Sequence, residues 1–376
     1  MTTTSIVAGG RNDFMTVRHL VLRGGQREIG RALALDIQAA SDWQPRAVDP
    51  LVSRARDVWF ARNWPQHRDR MTGAAEVFQA DPMSMDGMSS IAGSGCSATF
   101  CPPAASADGR GRLGRNYDFF TLSQKQLVES LSGAAPQPSD EPPMASRPYV
   151  ITSYPDDGLA STVLTMSNVD GCMDGINEAG LAVVLLLADI TATAPPDFGR
   201  GPQAGLDPTQ VPRFLLDTCT SAAEARVALL SGKQYDNASV ACHYLVADAS
   251  GDGFVWERGA YDSEHIIPLA DGPLCVTNHP LHKFPSVDDL PPDTPETFAT
   301  YERLRTISKH PASSAAGIRE ALDEVAQKAA PGWPWRTLWR SVFDLSGRSM
   351  TTRFHLGEDA AGHLRHSEEI VFEVRR

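Results

Sequence analysis

The chain has 376 residues, with 34 basic and 46 acidic side chains and a net charge of −12 at neutral pH. That length holds one large domain or two ordinary ones around a substantial core. The acidic balance argues against nonspecific binding to nucleic acid or an anionic membrane. Six cysteines, at 96, 101, 172, 219, 242 and 275, are scattered without CxxC pairs, which argues against a disulfide scaffold and a cysteine zinc site.

The N-terminal stretch, Met1 to Arg11, has neither the basic start nor the apolar run of a secretory signal. The most apolar run, Leu181 to Ala188, is strand-sized and too short to span a bilayer. The expected compartment is the cytoplasm. In chain order, Val17 to Leu22 reads as a strand, and a glycine turn leads from it into a helix ending near Ala40. A helical region follows from Asp49 to Ala80, anchored by Trp59, Phe60, Trp64 and Phe78.

A hairpin comes next. Gly93-Ser94-Gly95 leads into Cys96 and a short alternating strand, Asp108-Gly109-Arg110-Gly111 turns the chain, and Leu113 to Phe120 returns. The return strand carries Arg115 and Asp118 back toward Cys96. A guanidinium favours thiolate, and a carboxylate orients an amine or takes a proton, so the group suits a nucleophilic thiol.

Beyond it, Leu122 to Leu131 reads as a helix and Ser132 to Pro143 as a breaker-rich loop, either a lid or a surface insertion. Strands are predicted at Tyr149–Ser153, Ser161–Ser167, Gly171–Ile176 and Leu181–Ala188, with turns at Asn168-Val169-Asp170-Gly171 and Asn177-Glu178-Ala179-Gly180. Thr193 to Pro208 is a loop, either a wall of a substrate mouth or a plain connection. Helices at Val211–Thr218 and Ser221–Leu230 precede strands at Ser239–Ala247, Gly253–Glu257, Glu264–Pro268 and Leu274–Thr277. Helices near Pro295–Arg305 and Ser313–Lys328 and strands at Thr337–Asp344, Ser349–Leu356 and Glu368–Val374 complete the chain. The pattern is α+β with antiparallel sheets, lacking regular βαβ alternation.

Gly95-Cys96-Ser97-Ala98-Thr99-Phe100-Cys101 followed by Gly114-Arg115-Asn116-Tyr117-Asp118-Phe119-Phe120 resembles the start of the mature chain in the acyl-coenzyme A:6-aminopenicillanic acid acyltransferase family. More distantly it is similar to bile salt hydrolases and penicillin V acylases, all cysteine N-terminal nucleophile hydrolases. The resemblance implies the four-layer αββα fold. It also implies cleavage at Gly95-Cys96, giving a retained small chain (1–95) and a catalytic large chain (96–376). The catalytic set implied is Cys96, Asp118, Arg115 and, from Cys275-Val276-Thr277-Asn278-His279-Pro280, the oxyanion candidate Asn278. Asn177, in a GxNExGL turn, and Tyr117 are candidates for substrate contact or turn formation.

Two departures matter. Val183 to Leu187 stands where bile salt hydrolases carry an oxyanion asparagine, and Pro331-Gly332-Trp333-Pro334-Trp335 stands near a functional serine of penicillin acyltransferase. Arg303 and Arg305 read as surface or ion-pair residues. The function expected is a self-processing amidohydrolase or acyltransferase on a small-molecule amide or acyl thioester, with no metal or cofactor. An amine acceptor and a second copy of the chain remain open as partners. Rival readings are a Cys–His peptidase pairing Cys96 with His279 or His243, a metal site from Cys275, His279, His282 and Asp288, and an inactive binding protein on the same fold.

Overall fold

A computed structural model describes every residue except 1, 46, 86–94, 167–170, 189–203, 233–240, 259–263, 271 and 329–332. The predicted turn at 168–170 and most of the predicted loop at 193–208 lie outside the described residues. The chain opens with β1 (Thr2–Ala8), β2 (Val17–Gly24), α1 (Gln26–Ala40), α2 (Pro50–Asn63) and α3 (Pro65–Phe78). The single helical region expected from 49 to 80 is thus two helices. Pro65 disfavours a helical Trp64, whose backbone turns away at φ −151°, ψ 63°. Asp49 caps α2 by accepting from the backbone N–H groups of Leu51 and Val52.

The predicted hairpin is β3 (Ser97–Cys101) and β4 (Arg112–Phe120), followed by α4 (Gln124–Leu131). Then come β5 (Tyr149–Pro155), β6 (Ser161–Thr165), β7 (Asp174–Asn177), β8 (Ala182–Leu187), α5 (Gln210–Thr218) and α6 (Ala222–Ser231). After these lie β9 (Cys242–Ala247), β10 (Gly253–Arg258), β11 (Glu264–Pro268), β12 (Leu274–Val276), α7 (Thr300–Lys309) and α8 (Ala315–Glu324). The chain ends with β13 (Trp335–Asp344), β14 (Ser349–Glu358), β15 (Leu364–His366) and β16 (Ile370–Glu373). The loop at 132–143 folds back on α4, where Gln126 donates to the Gln137 carbonyl and Glu129 accepts from the Gln137 N–H.

The strands form two sheets. One has nine strands in the order β1-β2-β5-β6-β7-β8-β9-β10-β11, the other seven, β12-β3-β4-β13-β14-β15 with β16 also on β14. Helices α1, α5 and α6 pack on the nine-stranded sheet, and α7 and α8 on the seven-stranded one. The inner faces meet through residues such as Arg115 and Asp174, so the layers run helix, sheet, sheet, helix. This is the αββα arrangement expected.

One pairing departs from the antiparallel expectation. Strand β2 runs parallel to β5, Arg18 opposite Tyr149 through Gly24 opposite Pro155. The N-terminal 95 residues therefore supply the first two strands of a sheet completed by later ones. Buried polar contacts cross the join: Arg70 of α3 pairs with Asp217 of α5 at 2.9 Å, and Arg56 of α2 donates to Gln210 Oε1 at 3.2 Å.

Candidate active site

Register explains how the hairpin assembles the site. Ser97 pairs with Asn116, so Cys96, one residue earlier, comes level with Tyr117, between Arg115 and Asp118. Side chains alternate across a strand. Arg115 turns inward to Asp174 of the facing sheet, while Asp118 turns outward to Thr337 and Arg303.

Cys96 is fully buried, and its sulfur, oxygen and nitrogen each meet a different polar side chain. Arg115 Nη2 lies 3.2 Å from Sγ. The Cys96 N–H donates to Asn278 Oδ1 at 2.6 Å. Its carbonyl accepts from Arg303 Nη1 at 2.6 Å. Burial pushes the thiol up, and the Arg115 charge works against it.

Arg115 is itself fixed from several sides. It pairs with Asp174, donates to the Leu185 carbonyl at 2.8 Å and lies 4.6 Å from the Tyr117 ring centre. Tyr117 stacks on Trp339 at 3.9 Å, and its hydroxyl contacts Met166, so it braces the arginine. Asp174 is held by Trp339 Nε1 at 2.7 Å and Ser341 Oγ at 3.1 Å.

Asp118 accepts from the Thr337 hydroxyl at 2.6 Å through Oδ1. Its Oδ2 is buried, with Arg303 Nη1 at 3.9 Å. Burial pushes this carboxyl up to about 7, against the pull of Arg303, Thr337 and Arg115. A group so placed exchanges protons near neutral pH.

Asn278 is fully buried and presents its amide oxygen to Cys96. Its Nδ2 donates one hydrogen to the Leu187 carbonyl at 2.9 Å, and its backbone N–H donates to Thr300 Oγ1 at 2.8 Å. The other candidate asparagine lies elsewhere in the architecture. Asn177 donates to the Leu216 and Cys219 carbonyls at the end of α5 and accepts from the N–H groups of Ala179 and Leu181, a turn residue beside Gly180 at φ +84°.

Arg303 corrects the surface half of its sequence reading and keeps the ion-pair half, with Asp118 at 3.9 Å. It is buried, not a surface residue, and besides Cys96 and Asp118 it contacts Ser97 Oγ at 2.9 Å and Asn278 Oδ1 at 3.0 Å. The sequence carried a signal for this: Thr300, Arg303, Leu304 and Ile307 form the buried stripe of α7 at helical spacing. Arg305 fits its reading, pairing with Glu302 and donating to the Leu290 and Pro291 carbonyls.

Gly95 lies against an aromatic wall. A Cβ there would come 2.6 Å from the Trp335 ring, so no side chain fits without displacing it. Trp335 is wedged between Phe298, stacked at 4.8 Å, and Phe120, edge-on at 4.5 Å. A cavity of about 650 Å³ under Trp59, Phe214 and Val227 contains none of these residues.

The histidines of the Cys–His reading have other partners. His243 contacts Glu257 and the Thr277 carbonyl, and His279 Nδ1 contacts the Thr277 and Thr300 hydroxyls. Burial lowers His279 to about 4. Cys275 faces Thr99 at 3.3 Å, and the rival metal cluster of Cys275, His279, His282 and Asp288 does not assemble. Among the described residues, Glu257, His265 and His282 bring one potential ligand atom each within 4.8 Å of the others. Burial alone would raise the Glu257 carboxyl, but hydrogen bonds from His243, His282 and Leu281 outweigh it and hold it at about 2.

The model of the acyl-coenzyme A:6-aminopenicillanic acid acyl-transferase family matches residues 106–359, more than half of the chain. The chain belongs to this family. The family is one of acyl-transferases. Asp118, Asn278, Arg115 and Arg303 fall inside the matched span, and Cys96 precedes it. No curated protein matches the chain. Among solved structures, a mutant conjugated bile acid hydrolase from Clostridium perfringens is similar at 15% identity and a TM-score of 0.43, over 74% of this chain and 97% of that one. The Caenorhabditis elegans ortholog of N-acylethanolamine-hydrolyzing acid amidase is similar at 14% identity and a TM-score of 0.41, over 66% and 93%. Among the described residues, no helix is long and apolar enough to cross a membrane.

Proposed function

We propose that the chain is a self-processing cysteine amidohydrolase or acyltransferase, cleaved at Gly95-Cys96, that acts on a linear amide or acyl thioester through a Cys96 acyl-enzyme. The observation that carries this reading is the grip on Cys96, where Asn278, Arg303 and Arg115 hold its nitrogen, oxygen and sulfur. A cysteine that only fills a core needs no such partners.

In the first step the thiol proton passes to the Asp118 carboxylate and sulfur attacks the Gly95 carbonyl carbon. The carbon–nitrogen bond breaks, nitrogen takes a proton, and a thioester joins residue 95 to Cys96 Sγ. Water hydrolyses the thioester, releasing the Gly95 carboxylate and restoring the thiol. The freed α-amine has an ordinary pKa near 8, low enough to act as a neutral base close to pH 7.

The same amine then takes the Cys96 thiol proton as sulfur attacks the substrate carbonyl. Asp118 Oδ2 and Asn278 Oδ1 hold the amine, and Arg115 orients sulfur. Asn278, together with backbone amides, stabilises the oxyanion. One such donor typically lowers the barrier by about 3 kcal/mol. The leaving group takes the proton back, and water or an amine acceptor collects the acyl group. Trp333 and Trp335 shape the acyl or amine pocket.

The acidic surface and six free cysteines suit a cytoplasmic enzyme of small-molecule or secondary metabolism. The test is Cys96→Ala, compared with the parent by denaturing electrophoresis. The parent runs as two fragments and the variant as one intact chain without turnover. Cleavage or activity surviving in the variant would refute the assignment.

A further inference from the structure

Glu257 on β10 lies opposite His243 on β9 and His265 on β11, so the three side chains form one row across the nine-stranded sheet. His282, four residues after Asn278, reaches the same carboxylate, its Nδ1 against Oε1. One ligand atom each from Glu257, His265 and His282 lies within 4.8 Å of the others. The His265 and His282 rings stack at 3.8 Å, 8° from parallel.

The carboxylate is supported from behind. Glu257 Oε2 accepts from His243 Nε2 at 2.5 Å and from the Leu281 N–H at 2.6 Å. Hydrogen bonds of this kind orient a ligating carboxylate and fix its direction. Glu257 is fully buried while both histidines are partly exposed, so the cluster is anchored inside and open toward solvent.

We propose that Glu257, His265 and His282 form a binding site for a divalent ion of the zinc class, with water completing the coordination. Two imidazoles and one carboxylate suit zinc, whereas magnesium and calcium favour oxygen ligands alone. The torsion that turns a histidine ring is broad, so the stacked rings can rotate until their lone pairs converge. The ion takes the place of the proton between His282 and Glu257. Bound there, it ties β11 to the turn at Leu281–Lys283 and braces the segment from which Asn278 projects.

The test uses the full chain, stripped with chelator and titrated with zinc chloride by calorimetry. One zinc per chain is expected, with affinity reduced about tenfold or more in His265→Ala and in His282→Ala, and unchanged in His363→Ala, a control at an exposed histidine. Cobalt(II) added to the unmutated chain should give the visible absorption of a four-coordinate site, a readout independent of whether the variants fold. Absence of saturable zinc uptake, absence of that absorption, or zinc binding that persists in both histidine variants would overturn the site. Cleavage at Gly95, read on the same samples by electrophoresis, reports the active-site reading separately.

Discussion

Arg303 Nη1 donates to the carbonyl oxygen of Cys96 at 2.6 Å, across 207 residues of sequence. The same guanidinium contacts Asn278 Oδ1 and lies near Asp118 Oδ2, so one cation links the nucleophile to both of its neighbours. Arg303→Leu removes a charge that holds the Asp118 carboxyl down and releases the Cys96 carbonyl. Self-cleavage should slow by about 100-fold, the scale of a lost pre-aimed donor. Time-resolved electrophoresis of freshly expressed precursor measures it, with circular dichroism as the check on folding. A change under a few-fold would place Arg303 outside the machinery.

Asp118 makes stability depend on pH. Its carboxyl ionises near 4 in the unfolded chain and is pushed up to about 7 in the folded one. The unfolded chain therefore releases this proton first, and native stability falls as pH rises from about 4 to 7. The full cost, on the order of 4 kcal/mol, is present above that window. Urea unfolding of Cys96→Ala, which keeps the chain intact, should show the decline, and Cys96→Ala/Asp118→Asn should lack it. Parallel profiles for the two chains would contradict the assignment.

The small chain should stay in place after cleavage. Strands β1 and β2 are part of the nine-stranded sheet, and Arg70 is buried against Asp217 with 1% and 5% of their side chains exposed. Gel filtration without denaturant should elute both fragments together. Asp217→Ala strands a buried arginine at a cost of about 3–5 kcal/mol, so its fragments should separate at lower urea than the parent's. Independent elution of the parent's fragments would show that the shared sheet does not hold them.

Much of this was legible in the sequence where the signal is local. The alternation of Ser97 to Cys101, the Asp108–Gly111 turn and the return through Arg115 and Asp118 specify a hairpin, and a hairpin's register places both residues beside Cys96. Long-range pairing left no such mark. The parallel join of β2 to β5 spans over a hundred residues, and no local pattern distinguishes it from an antiparallel one. Arg303 was hidden differently: an arginine in a charged helix reads as solvated, and only its place on the Thr300, Leu304 and Ile307 stripe tells against that. The row of His243, Glu257 and His265 exists only once three strands align.

The central claim is that Cys96 becomes a nucleophile by freeing its own amine. Intact-mass and N-terminal analysis of the purified protein after exposure to an activated acyl donor tests it most directly. The account predicts a large chain that begins at Cys96 with a free amine and gains one acyl group on that residue. Active protein in which Cys96 is still bonded to Gly95, or in which the acyl group sits on another residue, would contradict it.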